Sequence, residues 1–221
     1  MPAAVMMLMW MMVLMGAMPL LNAVMEEKNQ RIAEIMLGAA RPFELMMGKV
    51  LAGLGVSLTG SAIYLVVAMF ALGNLGIAGY VPYHILPWFF AYLVLNIFML
   101  GAIFAAAGSL CTDAKDVQNM TLPAMLPSLI PMFIWMPVVQ QPLSTFATAT
   151  SLFPLFTPIL MLLRQCTPEA IPAWQPWVGL AGVIATAILC VWIGGRVFRL
   201  GMLWQGRPPK LGQLIRLAVR G

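Results

Sequence analysis

Five times along this chain a predominantly apolar run reaches the length of a bilayer crossing, over residues 3–24, 45–72, 88–110, 120–139 and 174–195. A hydrocarbon core of roughly 30 Å is crossed by about 20 apolar residues in a helix. A lipid-exposed segment must satisfy its backbone polar groups internally, which a helix does by itself. The runs therefore predict an all-α, polytopic membrane protein with about five transmembrane helices, forming a single transmembrane domain over 1–221. Composition excludes the alternative of a water-soluble fold. Of 221 residues, 62% are hydrophobic and only 9% charged, against roughly a quarter charged in soluble domains.

Apart from Lys49, near the start of the second run, the charges lie between the runs or after the last, and they set an orientation. Counted loop by loop from the N-terminus, Lys and Arg number four, none, one, one and six. By the positive-inside rule the first loop and the C-terminal tail, 196–221, are cytoplasmic and the N-terminus is outside. This arrangement is expected of a multi-pass protein of the cell inner (plasma) membrane. The net charge of +5 is thus explained without nucleic acid, since the basic residues do not cover a hydrophilic module with stacking aromatics. Trp174 and Trp177 open the last run at its outer end, where aromatic side chains anchor spans in the interface. Nothing basic precedes the first run, so it does not read as a secretory signal. An exported N-terminus without such a signal predicts that another span and an outer domain precede it in the natural subunit.

Eight of the nineteen charged residues fall within 26–49. Glu27, Arg31 and Glu34 share one helical face, with Ile32, Ile35, Met36 and Ala39 on the other. Residues 26–40 are therefore predicted to form an amphipathic helix lying on the cytoplasmic membrane surface. Residues 38–41 then turn the chain, Pro42 suits the first position of the next helix, and Glu44 falls in its favourable first turn. Small residues at four-residue spacing, Gly53, Ser57 and Ser61 in the second span and Gly101 and Ala105 in the third, predict close helix packing. In the fourth span Pro123, Pro127, Pro131 and Pro137 each delete a helical hydrogen bond, so this span is expected to be kinked or broken. Pro123, Pro127 and Pro131 share a face, which either lines a polar path or only builds a rigid kink. Residues 151–163 are too short to cross and are expected to form a short re-entrant or interfacial element on the outer side. Arg164 at its end reads as an interfacial anchor.

No catalytic constellation is visible. There is no GxxxxGK[ST], HExxH or GxSxG, and His84 is the one imidazole. Cys111, Cys166 and Cys190 form no CxxC, so no metal site and no cofactor is expected. Any ATP that drives this protein must be hydrolysed by another chain.

The segment EEKNQRIAEIMLGAARPFELMMGK, the DAKDVQN loop, the Pro-rich span and the tail FRLGMLWQGRPPKLGQLIR together resemble, in order and over nearly the whole chain, the C-terminal transmembrane half of type-2 ABC exporter permeases, especially the sodium-exporter-like branch. The resemblance implies a membrane permease subunit that moves a small substrate, cation, drug or other, out of the cytoplasm. Its partners would be a separate ABC ATPase subunit, a second permease subunit in a homo- or heterodimer, and membrane lipid. It also implies that Glu26, Glu27, Lys28, Arg31, Glu34 and Pro42 belong to the coupling helix that docks on the ATPase. The family's six-span plan places this chain from the second span onward. The rival reading is an ATP-independent channel or secondary transporter whose Pro-broken span lines the path.

Overall fold

A computed structural model describes residues 2–30, 41–74, 83–169 and 171–203. The described residues form helices and connections without a strand. Five helices are long and apolar enough to cross a membrane: α1 (Pro2–Asn29), α2 (Pro42–Asn74), α3 (Leu86–Leu110), α4 (Ala114–Gln140) and α7 (Trp174–Leu203). Two short helices, α5 (Thr145–Leu152) and α6 (Thr157–Gln165), fill the connection between α4 and α7.

The helices outrun the apolar segments at their ends. Glu26, Glu27 and Lys28 are good helix formers, and α1 continues through them to Asn29. They are thus the last turn of the first span and not the start of a separate amphipathic helix. The expected surface helix otherwise falls on residues 31–40, outside the described residues. At the start of α2 one half of a capping box is present. Pro42 takes the first position, and the Glu44 carboxylate accepts the backbone N–H of Arg41 at 3.1 Å, satisfying one of the donors that a helix N-terminus leaves free. At the other end of the chain α7 runs to Leu203, so Arg196 and Arg199 are helical.

α4, the span expected to be kinked or broken, is not broken. It is helical from Ala114 to Gln140 with Pro123, Pro127, Pro131 and Pro137 inside it. The fixed φ of proline is itself helical, so the run holds together. What the prolines remove is the N–H that would reach the carbonyl four residues back, here those of Asn119, Pro123, Pro127 and Phe133.

α3 is the centre of the bundle and packs against α1, α2, α4, α6 and α7. In its apolar stretch 67% of residues are buried, against 22% in α2 and α4 and 28% in α7, so these three outer helices still present most of their apolar surface. The core between α1 and α3 contains Met9, Met12, Leu21, Phe89, Leu93, Ile97 and Phe104. Two contacts fix how close the helices come. A Cβ on Gly53 would stand 3.1 Å from the backbone carbon of Gly16, and one on Gly108 would stand 2.5 Å from Leu21 O. Only glycine allows backbones this near.

α6 is enclosed: every residue from Thr157 to Arg164 is buried, against α1, α3, α4, α5 and α7. The expected single element over 151–163 is thus two helices joined by a turn at residues 153–156.

Candidate functional site

The polar side chains concentrate where α1 ends, α2 begins and α3 gives way to α4. The last turn of α1 supplies three of them. Glu27 Oε1 accepts from Lys49 Nζ at 2.5 Å, an ion pair in which the side chains are 29% and 15% exposed. Lys28 Nζ donates to Ser109 O at 2.7 Å. Asn29 Nδ2 donates to Thr112 O at 2.9 Å. The Asp116 carboxylate then holds Thr112 through both its backbone N–H and its hydroxyl, at 3.2 and 2.9 Å.

The reason for this convergence is the end of α3. The last carbonyls of a helix have no intrahelical partner and carry partial negative charge. At α3, Gly108 O is taken by the N–H of Cys111, Ala107 O by the Cys111 thiol and Ser109 O by the Lys28 ammonium. A cation from a neighbouring helix thus caps α3. Gly108 lets α1 come this close, with Leu21 O 2.5 Å from where its Cβ would be, and Gly201 does the same for α7, with Ser109 C 2.9 Å from its own.

The predicted coupling residues divide accordingly. Glu26 is exposed, whereas Glu27 and Lys28 turn toward the bundle. Pro42 starts α2 nearby in the chain, and Arg31 and Glu34 lie outside the described residues. Reading by sequence found Lys49 as part of a motif but not as the partner of Glu27. The acceptors Ser109 O and Thr112 O are backbone atoms, for which a sequence carries no signal.

The predicted packing residues are at helix contacts. Gly53 meets Gly16, and the buried Ser57 donates to Met12 O across the α1–α2 interface at 2.6 Å. Gly101 sits against Val50 and Leu20, Ala105 is buried with Val24 and Phe198, and Ser61 is buried while bonding to Leu58 O of its own helix. Of the prolines, Pro123 is exposed, Pro127 half-buried and Pro131 buried. They therefore run from the surface of the chain into it. Beside α1, an open groove of about 540 Å³ passes Met15, Met18, Pro19, Asn22 and Glu26.

At the opposite end of the bundle the expectation for Arg164 fails. Arg164 is fully buried, not interfacial. Its Nε donates to Pro142 O at 2.9 Å, and its two terminal nitrogens donate to Ser151 Oγ at 2.5 Å and Thr148 Oγ1 at 3.3 Å. No carboxylate of the described residues pairs with it. Its guanidinium ties α6 to α5 and to the end of the α4–α5 connection, and the three acceptors are all neutral. Trp88 and Trp177 meet edge-on at 5.0 Å, and Tyr92 donates to Pro176 O at 3.0 Å. This aromatic cluster is of the kind found at a membrane interface.

These features define a multi-pass helical membrane protein with a polar joint at one end. The chain belongs to the family described as ABC-2 family transporter protein, whose model it matches over residues 2–196, and it is a membrane component of that transporter family. It is 29% identical to uncharacterized protein YhaP of Bacillus subtilis over 93% of this chain and 52% of that protein. It is 21% identical to uncharacterized protein MJ1024 of Methanocaldococcus jannaschii over 91% of this chain and 49% of that protein. The chain thus spans about half the length of these curated relatives. No solved structure matches it.

Proposed function

We infer that this chain is the membrane-spanning permease half of an ATP-driven exporter, working with a separate ABC ATPase and a second permease subunit. The observation that carries this reading is the family match over residues 2–196. The polar joint supports it. α1 ends and α2 begins there, beside the end of α3, so a cytoplasmic partner acting at that end would act on three helices together.

In this reading the joint faces the cytoplasm of a cell whose inner membrane holds the bundle, as the basic-residue count favours. Glu26, Arg31 and Glu34 offer the charged face to the ATPase. The enclosed α6, entering between spans from the outer end, is the re-entrant element. Exposed α4, with Pro123, Pro127 and Pro131, and the groove along α1 with Asn22 line the path or meet the second subunit. The carbonyls freed by the prolines need polar company in a membrane, which a path or a neighbouring subunit supplies and lipid does not. ATP shifts the bundle between states only if it favours one of them.

The test is affinity capture of the protein from its native membrane. A separate ATPase should co-purify, and Glu26→Lys with Glu34→Lys should release it while the permease still inserts. If the wild-type protein brings no ATPase, or the double reversal holds it as firmly, this assignment is wrong.

A further inference from the structure

We propose that the groove between α2, α3 and α7 seats one acyl chain of an anionic phospholipid, from the leaflet at the joint's end of the bundle, with Arg196 holding its phosphate. The site needs only the membrane fold and stands whether or not an ATPase drives the protein.

The groove, of about 390 Å³, is bounded by Phe43 and Met47 of α2, Leu95 and Phe98 of α3, and α7 from Ile184 to Trp192. No lining side chain carries nitrogen or oxygen except Trp192, with its indole N–H. Such a surface favours hydrocarbon over any water-soluble ligand. Its α7 wall, from Ile184 to Trp192, is about 12 Å long at 1.5 Å per residue. Half of a hydrocarbon core of roughly 30 Å is about 15 Å, so the groove runs nearly the depth of one leaflet. Its width selects among apolar occupants. Spread over that length, 390 Å³ leaves a cross-section of about 30 Å². A helix with its side chains is about 10–12 Å across, or at least roughly 80 Å². A single chain of methylenes fits, and the body of another helix does not.

Charge at the end of the groove selects the headgroup. Trp192 lies about 27 Å from Trp174 along α7 at 1.5 Å per residue, so the two rings mark the two interfaces of the core. Arg196, one turn beyond Trp192, stands over its ring with the guanidinium carbon 4.1 Å from the ring centre. Stacking uses the face of a guanidinium, while its N–H donors lie in the plane, the geometry that meets a phosphate. Arg199 is exposed on the next turn. Phe43 closes the groove at this end, its ring admitted by Gly195, where a Cβ would stand 2.7 Å from Phe43 Cδ2. The neighbouring acid, Glu44, is engaged by the backbone N–H of Arg41 at the start of its own helix. A hydrocarbon slot ending beneath a guanidinium thus matches a phospholipid part by part, tail in the core and phosphate at the interface. This is the joint's end, since Gly201 packs on Ser109, whose carbonyl Lys28 caps. The basic-residue count makes it the cytoplasmic leaflet, whose surface is anionic.

The experiment uses the full chain purified in detergent, stripped of lipid and titrated with phosphatidylglycerol or phosphatidylcholine carrying the same acyl chains. The readouts are bound lipid per chain, by native mass spectrometry, and oligomeric state. Wild type should retain one phosphatidylglycerol and prefer it to phosphatidylcholine by about fivefold or more, the weight of one basic residue at a lipid surface. Arg196→Gln should cut that preference about fivefold. Ile188→Trp fills the slot from an exposed wall position and should remove the retained lipid of both kinds. Ile63→Trp, comparably exposed on α2 but outside the groove, should not. Should Ile188→Trp not fold, phosphatidylglycerol with brominated chains decides on the wild type, where it should quench a fluorescence component that Trp192→Phe lacks. Equal retention of the two lipids, retention that survives Ile188→Trp, or no quenching at Trp192 overturns the proposal. A lipid-free dimer that Ile188→Trp dissociates gives the groove to a second copy and overturns it too.

Discussion

Replacing Gly53 and Gly55 by alanine, one at a time, should move stability in opposite directions. The two glycines lie two residues apart in the same helix, so both gain the same intrinsic helix preference, about 1 kcal/mol for Gly to Ala in a helix interior. Their surroundings differ. A Cβ at Gly55 meets nothing within 4 Å, whereas one at Gly53 stands 3.1 Å from Gly16 C, closer still to Gly16 O, and 3.7 Å from Gly16 Cα. The obstacles are backbone atoms, so no rotamer change relieves them, and α1 must move away from α2. Overpacking of this kind costs about 1–3 kcal/mol. Separation also stretches the Ser57–Met12 O bond of 2.6 Å one turn away, a contact worth about 0.6 kcal/mol by membrane-protein averages. Gly53→Ala should therefore destabilise the protein by roughly 0.5–2.5 kcal/mol after the propensity gain. Gly55→Ala should leave it unchanged or up to about 1 kcal/mol more stable. Unfolding of the two variants in identical detergent micelles, followed by circular dichroism, measures the difference. If both alanines shift stability alike, the close α1–α2 contact is not what holds these helices together.

Arg164 gives an ordering of variants. Arg164→Lys keeps a buried charge but cannot reproduce the three-way fork to Pro142 O, Ser151 Oγ and Thr148 Oγ1, while Arg164→Met removes the charge along with its several kcal/mol of desolvation penalty. Thermal unfolding should rank wild type above Met, and Met at or above Lys; a Lys variant close to wild type would contradict this. Burial pushes the Cys166 thiol up from 9.0 to about 11, so at pH 8 it should react with a maleimide roughly a hundredfold more slowly than an ordinary thiol and accelerate as pH rises. A pH-independent, fast reaction would show that its surroundings are wet. For orientation the better reporters are exposed: Leu143→Cys should be labelled by an impermeant reagent from outside intact cells and Arg41→Cys only after permeabilisation, and reversed labelling would invert the topology.

The spans were legible because length and hydropathy alone fix them: a run such as 88–110 has no other way to be stable in lipid. Their ends were less so, since Glu26, Glu27 and Lys28 are polar by composition yet favour helix, and only the structure shows α1 continuing through them. The four prolines of α4 argued for a break by counting lost hydrogen bonds, but the fixed φ of each proline fits the helix that surrounds it. Arg164 was misplaced because an isolated Arg at the end of a short apolar segment resembles an anchor. Its neutral partners, a carbonyl and two hydroxyls 13 to 22 residues away, leave no pattern in the sequence. The same holds for the joint, where Lys28 and Asn29 bind backbone oxygens more than 80 residues on.

If the exporter reading holds and a path runs along α4, ATP hydrolysed by another chain changes which side of the membrane that path opens to. Single cysteines at Pro123 and Pro127, in a background without native cysteines, report it directly through their reaction with an impermeant thiol reagent in sealed vesicles of known orientation. With the ATPase bound, these cysteines should react from the cytoplasmic side without nucleotide, and that reaction should be suppressed, with new reactivity from the outer side, when ATP and vanadate are added. Labelling from both sides that ignores nucleotide would contradict it and identify an ATP-independent channel.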